Sequence, residues 1–270
     1  MFSVVILTLN EERDLPACLA SASASDDIVV LDSGSTDRTI EIAHAAGART
    51  FTRPFDNFGR QRNYAQDHIP FRHPWVFHLD ADELLTPELV AECDRQSART
   101  DLDGFYVAPR MLWRGQWLRR CTDYPAYQAR FVRAPQFRFI QVGHGQREAP
   151  EMRMERLREN YLHELASGGE AEWLEKHRRY AHSEARAHLA TAAGAIGWRP
   201  IFSGPTLARR RALKQLSYRL PFRPSLRFLY QYVLRGGFLD GPAAFRYCQL
   251  LARYEGFAVE ELRKLRQAAT

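Results

Sequence analysis

Apolar positions in the first third of the chain fall in short unbroken runs, separated by stretches of helical periodicity. Ser3 to Leu9 is one such run, of the kind shown by a strand covered on both faces. Beyond it, Leu15, Cys18, Leu19 and Ala22 recur at i, i+3, i+4 and i+7, which predicts an amphipathic helix with Asn10 as its cap. Ile28 to Leu31 predicts a second buried strand, and Ser35 or Thr36 is placed to cap a helix running to about Ala46. Arg49 to Arg53 reads as a short third strand, Gln61 to His68 as helix and Trp75 to Leu79 as a fourth strand. Pro87 then opens a helix at its first turn. Strands alternating with helices in this way predict βαβ units, hence an α/β fold with a Rossmann-like, mostly parallel sheet.

The pattern changes after Asp103. Gly104 to Pro109, Gln128 to Val132 and Phe137 to Gln141 read as short strands joined by polar turns, so the sheet is expected to become mixed. Glu170 to about Ala193 has the spacing of one long helix, with Trp173, His177, Tyr180 and Ala181 on one face. Pro200, Pro205, Pro221 and Pro224 are expected to break the remaining tail into short helices. The resulting division is a domain over 1–198 and a helical extension over 199–270.

Composition narrows the class. With 270 residues, 45% hydrophobic and 26% charged, the chain has material for a core and lacks the composition of a disordered protein. No stretch approaches the roughly 18 uncharged apolar residues of a membrane span. The first residues form a strand-like run without a basic lead-in, so no secretory signal is expected. Cys18, Cys93, Cys121 and Cys248 are too scattered for a zinc site or a disulfide framework, which suggests a reducing, cytoplasmic setting. The net charge of +6 conceals an asymmetry, because Arg199 to Thr270 holds fourteen Lys/Arg against four Asp/Glu. A basic tail on a mildly acidic body points to an anionic partner.

Parallel sheets bind ligands beyond the carboxyl ends of their strands. The first strand ends Thr8-Leu9-Asn10-Glu11-Glu12, without the glycines of a dinucleotide or P-loop turn. Small polar residues there can face a base or ribose, although helix capping alone would explain Asn10 and is the favoured reading of that residue by itself. The second strand ends at Asp32, followed by Ser33-Gly34-Ser35-Thr36-Asp37, where a carboxylate suits the polar edge of a nucleoside. The fourth ends Asp80-Ala81-Asp82-Glu83. Residues two apart on extended chain share a face, so Asp80 and Asp82 can converge on one hard cation, Mg²⁺ or Mn²⁺, bridged to a diphosphate. Asp101-Leu102-Asp103 has the same spacing but precedes a strand and reads as a turn.

Together these strand ends resemble the family 2 glycosyltransferases. Ser3 to Glu12 is similar to the family's opening motif, Asp32 to Thr39 to its second acidic segment, Asp80-Ala81-Asp82 to its D-x-D, and Phe58 to Ala65 to a donor-contacting segment. The likeness covers about residues 1 to 135 and is nearest to bacterial lipopolysaccharide-core glucosyltransferases. It implies the A-type fold of inverting enzymes, a nucleotide-sugar donor and a divalent cation. It places Thr8, Asn10, Glu12, Asp32, Arg62 and Asp80 at the donor, and Asp82 and His163 at the metal. The family's downstream V-H-E segment loosens here to Val142-Gly143-His144-Gly145-Gln146-Arg147-Glu148. Glu148 is the candidate base for the acceptor hydroxyl, with His144 its rival and Asp123 a distant third.

The expected activity is sugar transfer to a cell-envelope glycan or lipid-linked acceptor. The expected location is cytoplasmic, with the extension peripheral on the anionic inner face of the membrane. Two other classes compete: a basic nucleic-acid-binding protein, which would leave the D-x-D strand end without a role, and a nucleotidyltransferase, which would want a glycine-rich first loop.

Overall fold

The computed structural model describes residues 1–142, 145–192, 218 and 220–267. His144, Pro200, Pro205, Phe202, Leu207, Leu213, Leu216 and Arg209 to Arg211 lie outside them.

The chain forms two compact units, Met1–Leu112 with Tyr124–Ser167, and Trp113–Asp123 with Gly168–Thr270. The first begins as the alternation predicts: β1 (Ser3–Thr8), α1 (Leu15–Ser21), β2 (Ile28–Asp32), α2 (Thr39–Ala45), β3 (Arg49–Thr52), α3 (Phe58–His68) and β4 (Trp75–Asp80). There follow β5 (Glu83–Leu84), α4 (Pro87–Gln96), β6 (Gly104–Trp113), β7 (Gln116–Trp117), β8 (Gln128–Arg133), β9 (Phe139–Val142), β10 (Gly145–Glu148) and β11 (Met154–Glu164). The main sheet runs β3-β2-β1-β4-β8-β6-β11-β5. Pairing among β1 to β4 is parallel, β8 enters antiparallel between β4 and β6, and β11 lies parallel to β6. The α/β class and the mixed, largely parallel sheet are therefore observed. β9 and β10 form a separate antiparallel pair.

Period-two alternation divides the strands between two cores. Val4, Ile6, Val30, Phe77 and Leu79 pack with Leu15, Cys18, Leu19, Ala43 and Leu89 from the helices on one face. Val5, Val29, Leu31 and Val76 pack with Ala65 and Ile69 on the other. Each large side chain so buried contributes roughly 1.5–3 kcal/mol.

Two expected caps differ. Asn10 does not cap α1: it sits at φ 57, and the residue before the helix is Asp14, which makes no side-chain cap bond. Neither Ser35 nor Thr36 caps α2; Asp37 instead accepts from the Thr39 backbone N–H at 3.0 Å. In both places the polar side chains bond across to the neighbouring loop. α3 and α4 are capped conventionally, by Asn57 and Thr86.

The second unit contains α5 (Gly169–Ala192), the short α6 (Arg223–Phe228) and the 26-residue α7 (Pro242–Gln267), against which both α5 and α6 pack. Between α6 and α7 lie a π-helical turn, Leu229–Leu234, and a 3₁₀ turn, Gly237–Asp240. The expectation of short helices throughout the tail fails at α7. Pro242 stands at its first position, where proline is tolerated, and Ala244, Cys248, Leu251, Ala258 and Leu262 give it a buried stripe. No described helix is long and apolar enough to cross a membrane.

Candidate active site

Register places three strand ends level: Thr8 of β1 pairs with Asp32 of β2, and Leu7 with Asp80 of β4. From the end of β2 the chain turns sharply through Gly34, whose φ of 101 a side-chain-bearing residue rarely adopts. This turn brings the Gly34 and Ser35 N–H groups onto one Asp32 oxygen, both at 2.8 Å, while the hydroxyls of Thr8 and Ser35 donate to the other at 2.8 and 2.5 Å. Burial alone raises the Asp32 carboxyl, but the bonds from Ser35, Thr8 and Gly34 more than offset it and hold it below the usual carboxylate range. Four donors fill the acceptor capacity of this carboxylate. Thr8 and Asp32 thus hold the loop in shape from within, with Asn10 and Glu12 among its outer residues.

Those outer residues are stitched together. The Asn10 N–H donates to Ser35 Oγ at 2.8 Å, and Asn10 Oδ1 accepts from the Thr36 N–H at 2.8 Å. The Glu12 N–H donates to Asp37 at 3.1 Å, and Glu12 accepts from the Arg38 N–H at 3.1 Å. The left-handed backbone of Asn10, which asparagine tolerates better than most residues, lets it bridge the loops after β1 and β2. Asn10 and Glu12 remain exposed at the rim.

Beneath the end of β4 lies a buried charge network. Arg62 Nη2 donates to one Asp80 oxygen at 2.7 Å and Arg130 Nη2 to the other at 2.9 Å. Arg130 also donates to Glu83 at 2.6 Å, and Glu83 accepts the Asp80 N–H at 2.9 Å. Burial works against the Asp80 carboxylate, yet the charges of Arg130 and Arg62 hold it well below the usual range. Arg130 reaches this position from a bulge. The β6–β8 register passes from Phe105↔Phe131 to Tyr106↔Ala129, leaving Arg130 as the extra residue, and such bulges re-aim side chains.

The sequence predicts that Asp80 and Asp82 converge on a cation, with Arg62 at the diphosphate. The structure places them differently. Both Asp80 oxygens are engaged by guanidinium groups, and Arg62 is buried beneath Asp80. Glu83, whose own oxygens accept from Arg130 and the Asp80 N–H, stands beside Asp82. Ligand atoms of Asp82, Glu83 and His163 all lie within 4.8 Å of one another. His163 Nε2 is 3.5 Å from Asp82 and Nδ1 is 3.6 Å from Glu83. The antiparallel pairing of β5 with β11 sets His163 opposite Glu83. Burial pushes the imidazole down, but Glu83, Asp82 and Asp80 together push it up to about 8.

Glu148 lies on β10, where it accepts a bond from the Tyr106 hydroxyl at 2.6 Å. Its hairpin is fixed to α3 by Asn63, which donates to the Phe139 carbonyl and accepts from the Phe139 N–H, both at 2.9 Å. Asp123 is in the second unit, 3.0 Å from Arg235. Glu83, Arg130 and Tyr106 are not singled out by the sequence pattern. Glu83 follows Asp82 directly, and that adjacency is a signal that could have marked it; for the bulge that aims Arg130 no signal is evident.

The model of the glycosyl transferase family 2 matches residues 3–135, spanning the strand ends after β1, β2 and β4. Residues 3–135 belong to glycosyl transferase family 2. Among curated relatives is an uncharacterized glycosyltransferase of Rickettsia bellii, 31% identical over 38% of this chain and 35% of the relative. Another is the lipopolysaccharide core biosynthesis glycosyltransferase LpsC of Rhizobium meliloti, 34% identical over 40% and 45%. The chain thus spans less than half the length of these relatives. Among solved structures, glucosyl-3-phosphoglycerate synthase from Mycobacterium tuberculosis, with Mn²⁺, uridine diphosphate and glucosyl-3-phosphoglycerate, is 25% identical over 46% of this chain and 47% of that one, TM-score 0.35. The Staphylococcus aureus protein TarS, residues 1–349 with UDP-GlcNAc, is 14% identical over 93% and 91%, TM-score 0.44.

Proposed function

We propose that the protein is an inverting glycosyltransferase that moves a hexose from a nucleotide diphosphate donor to a cell-envelope glycan or lipid-linked acceptor. It would work in the cytoplasm, at the inner face of the membrane. The observation that carries this reading is the Asp82–Glu83–His163 cluster, at the end of β4 and level with the loops after β1 and β2. Two carboxylates and one imidazole suit Mg²⁺ or Mn²⁺, with room left for the oxygens of a diphosphate. Such a cation, when bound, offsets charge on a departing nucleoside diphosphate.

The remaining roles follow from the chain itself. Asn10 and Glu12 meet the nucleoside on a rim that Thr8 and Asp32 hold in shape. Arg62 and Arg130 fix Asp80 and keep it ionised beside the cluster. Glu148 takes the proton of the acceptor hydroxyl as that oxygen attacks the anomeric carbon. The Tyr106 hydroxyl orients its carboxylate. A single displacement of this kind inverts the anomeric centre.

A panel of nucleotide sugars, incubated with the full chain and an envelope-glycan extract, tests this. The expected outcome is release of one nucleoside diphosphate, dependent on Mg²⁺ or Mn²⁺, with a product of inverted configuration by proton NMR. Retention of configuration, or binding to RNA with no turnover of any sugar donor, would rule the reading out.

A further inference from the structure

Positive charge gathers around Glu148. Phe131 of β8 pairs with Phe77 of β4 on one side and with Phe105 of β6 on the other, and β4 and β6 run the same way. Tyr106 therefore lies one residue nearer the edge at which β4 ends in Asp80. Arg156 of β11 pairs with Tyr106 in parallel register, which sets the two side chains on one face of the sheet. The Tyr106 hydroxyl holds Glu148 at 2.6 Å, and Arg147 precedes Glu148 on β10. Burial and Glu148 push the Tyr106 hydroxyl up to about 12, while the charges of Arg147 and Arg156 work against that shift. Two guanidinium groups thus flank one tyrosine–carboxylate pair.

Neighbouring arginines are already occupied. Arg153 pairs with Asp103 at 2.9 Å, and Arg99 with Asp101 and Glu155 at 2.6 and 3.2 Å. Arg147 and Arg156 are exposed, and neither forms an ion pair with an acidic side chain among the described residues. The Arg156 guanidinium instead lies over the ring of Tyr127, 4.6 Å from its centre, and Tyr127 is itself exposed. Stacking holds a guanidinium by its face and leaves its edge N–H groups outward, the fork that grips a phosphate or carboxylate through two parallel bonds. Set against the single charge of Glu148, the two arginines leave one positive charge over. From these observations we infer that the acceptor is an anionic sugar, whose phosphate or carboxylate is held by Arg156 and Arg147 while Glu148 faces its hydroxyl. This rests on the proposed role of Glu148 and adds to it the chemical class of the acceptor.

A titration that needs no turnover tests it. The full chain is titrated by NMR with methyl glucoside, glucose 6-phosphate and glucuronate, in wild type, Arg156→Ala, Arg156→Lys and Arg95→Ala. Arg95, exposed on α4, is the control. The expected result is binding of one anionic sugar at least about tenfold tighter than methyl glucoside, the scale of a charge-assisted pair of hydrogen bonds. That preference should be lost in Arg156→Ala, partly kept in Arg156→Lys and unchanged in Arg95→Ala. Which anion binds tighter tells phosphate from carboxylate. Absence of any preference for an anion in wild type would overturn the inference, as would a preference that survives Arg156→Ala. With the donor and the envelope-glycan extract, Arg156→Ala should also raise the KM for extract at least about tenfold and leave the donor KM alone; an unchanged KM for extract would count equally against it. The titration keeps the two proposals apart: donor turnover without anion preference defeats the anionic acceptor alone, and anion preference without donor turnover defeats the transferase reading alone.

Discussion

Asp80 and Asp82, two residues apart, are put to different uses by their surroundings. Asp80 is held between two buried guanidinium groups, and Asp82 stays beside His163 and Glu83. The sequence shows two carboxylates at D-x-D spacing; it does not show that a bulge in β8 delivers Arg130 to claim one of them. Arg130→Met would leave Asp80 and Glu83 short of their cation in a buried setting. The expected loss is about 3–5 kcal/mol of stability, read as a lower denaturation midpoint with an unchanged slope. A midpoint within error of wild type would show that Arg130 is not needed to neutralise the pair. At Glu148 the expectation concerns rate. Glu148→Gln should lower kcat by roughly 10²-fold or more and leave donor affinity intact, the usual scale for losing a general base. An equal loss of donor affinity would make Glu148 structural.

Among the elements, β1, β2 and β4 are legible because each is a buried strand written as a mainly apolar run, and because the helices between them keep their periodicity. β11 is not. Met154-Glu155-Arg156-Leu157-Arg158-Glu159 carries charges on most positions and becomes a strand through parallel pairing with β6, a partner some fifty residues away in sequence. The place of His163 in the chain marks it, but its register with Glu83 depends on that pairing. The other end of the sheet has a node of its own at Asp27, before β2. Its carboxylate accepts from Ser3 Oγ at 2.6 Å, the Arg72 N–H at 2.8 Å and Arg49 at 2.7 Å, tying the starts of β1 and β3 to the approach to β4. Burial raises this carboxyl, but the bonds from Ser3, Arg72 and Arg49 leave it below its ordinary value. A depressed carboxyl stabilises fully above the ordinary range, near pH 4, and less as pH falls through its folded value. Asp27→Asn should therefore cost about 1.5–3 kcal/mol at pH 7, and the gap to wild type should narrow by pH 3. Thermal melts at the two pH values check this, and a gap that stays constant would mean that the charge of Asp27 is not involved.

For the whole molecule, composition and charge foretell a basic C-terminal region and cysteines without a pairing pattern. All four cysteines are free and buried. Native protein should therefore react slowly with a thiol reagent and release four equivalents only in denaturant; a fast-reacting native thiol would contradict the burial. Leu234 and Phe238, which the sequence leaves open between core and surface, are exposed. The central claim is that Asp82, with Glu83 and His163, holds the cation on which sugar transfer depends. Its most direct test is the turnover of the nucleotide sugar picked out by the donor panel, followed against Mn²⁺ concentration in wild type, Asp82→Asn and Asp101→Asn. Asp101 is paired with Arg99 at the surface, away from the cluster, and its loss should leave turnover unchanged. The expected result is saturable Mn²⁺ dependence in wild type and Asp101→Asn, abolished by a chelator and lost in Asp82→Asn. Turnover that survives both the chelator and Asp82→Asn would contradict it.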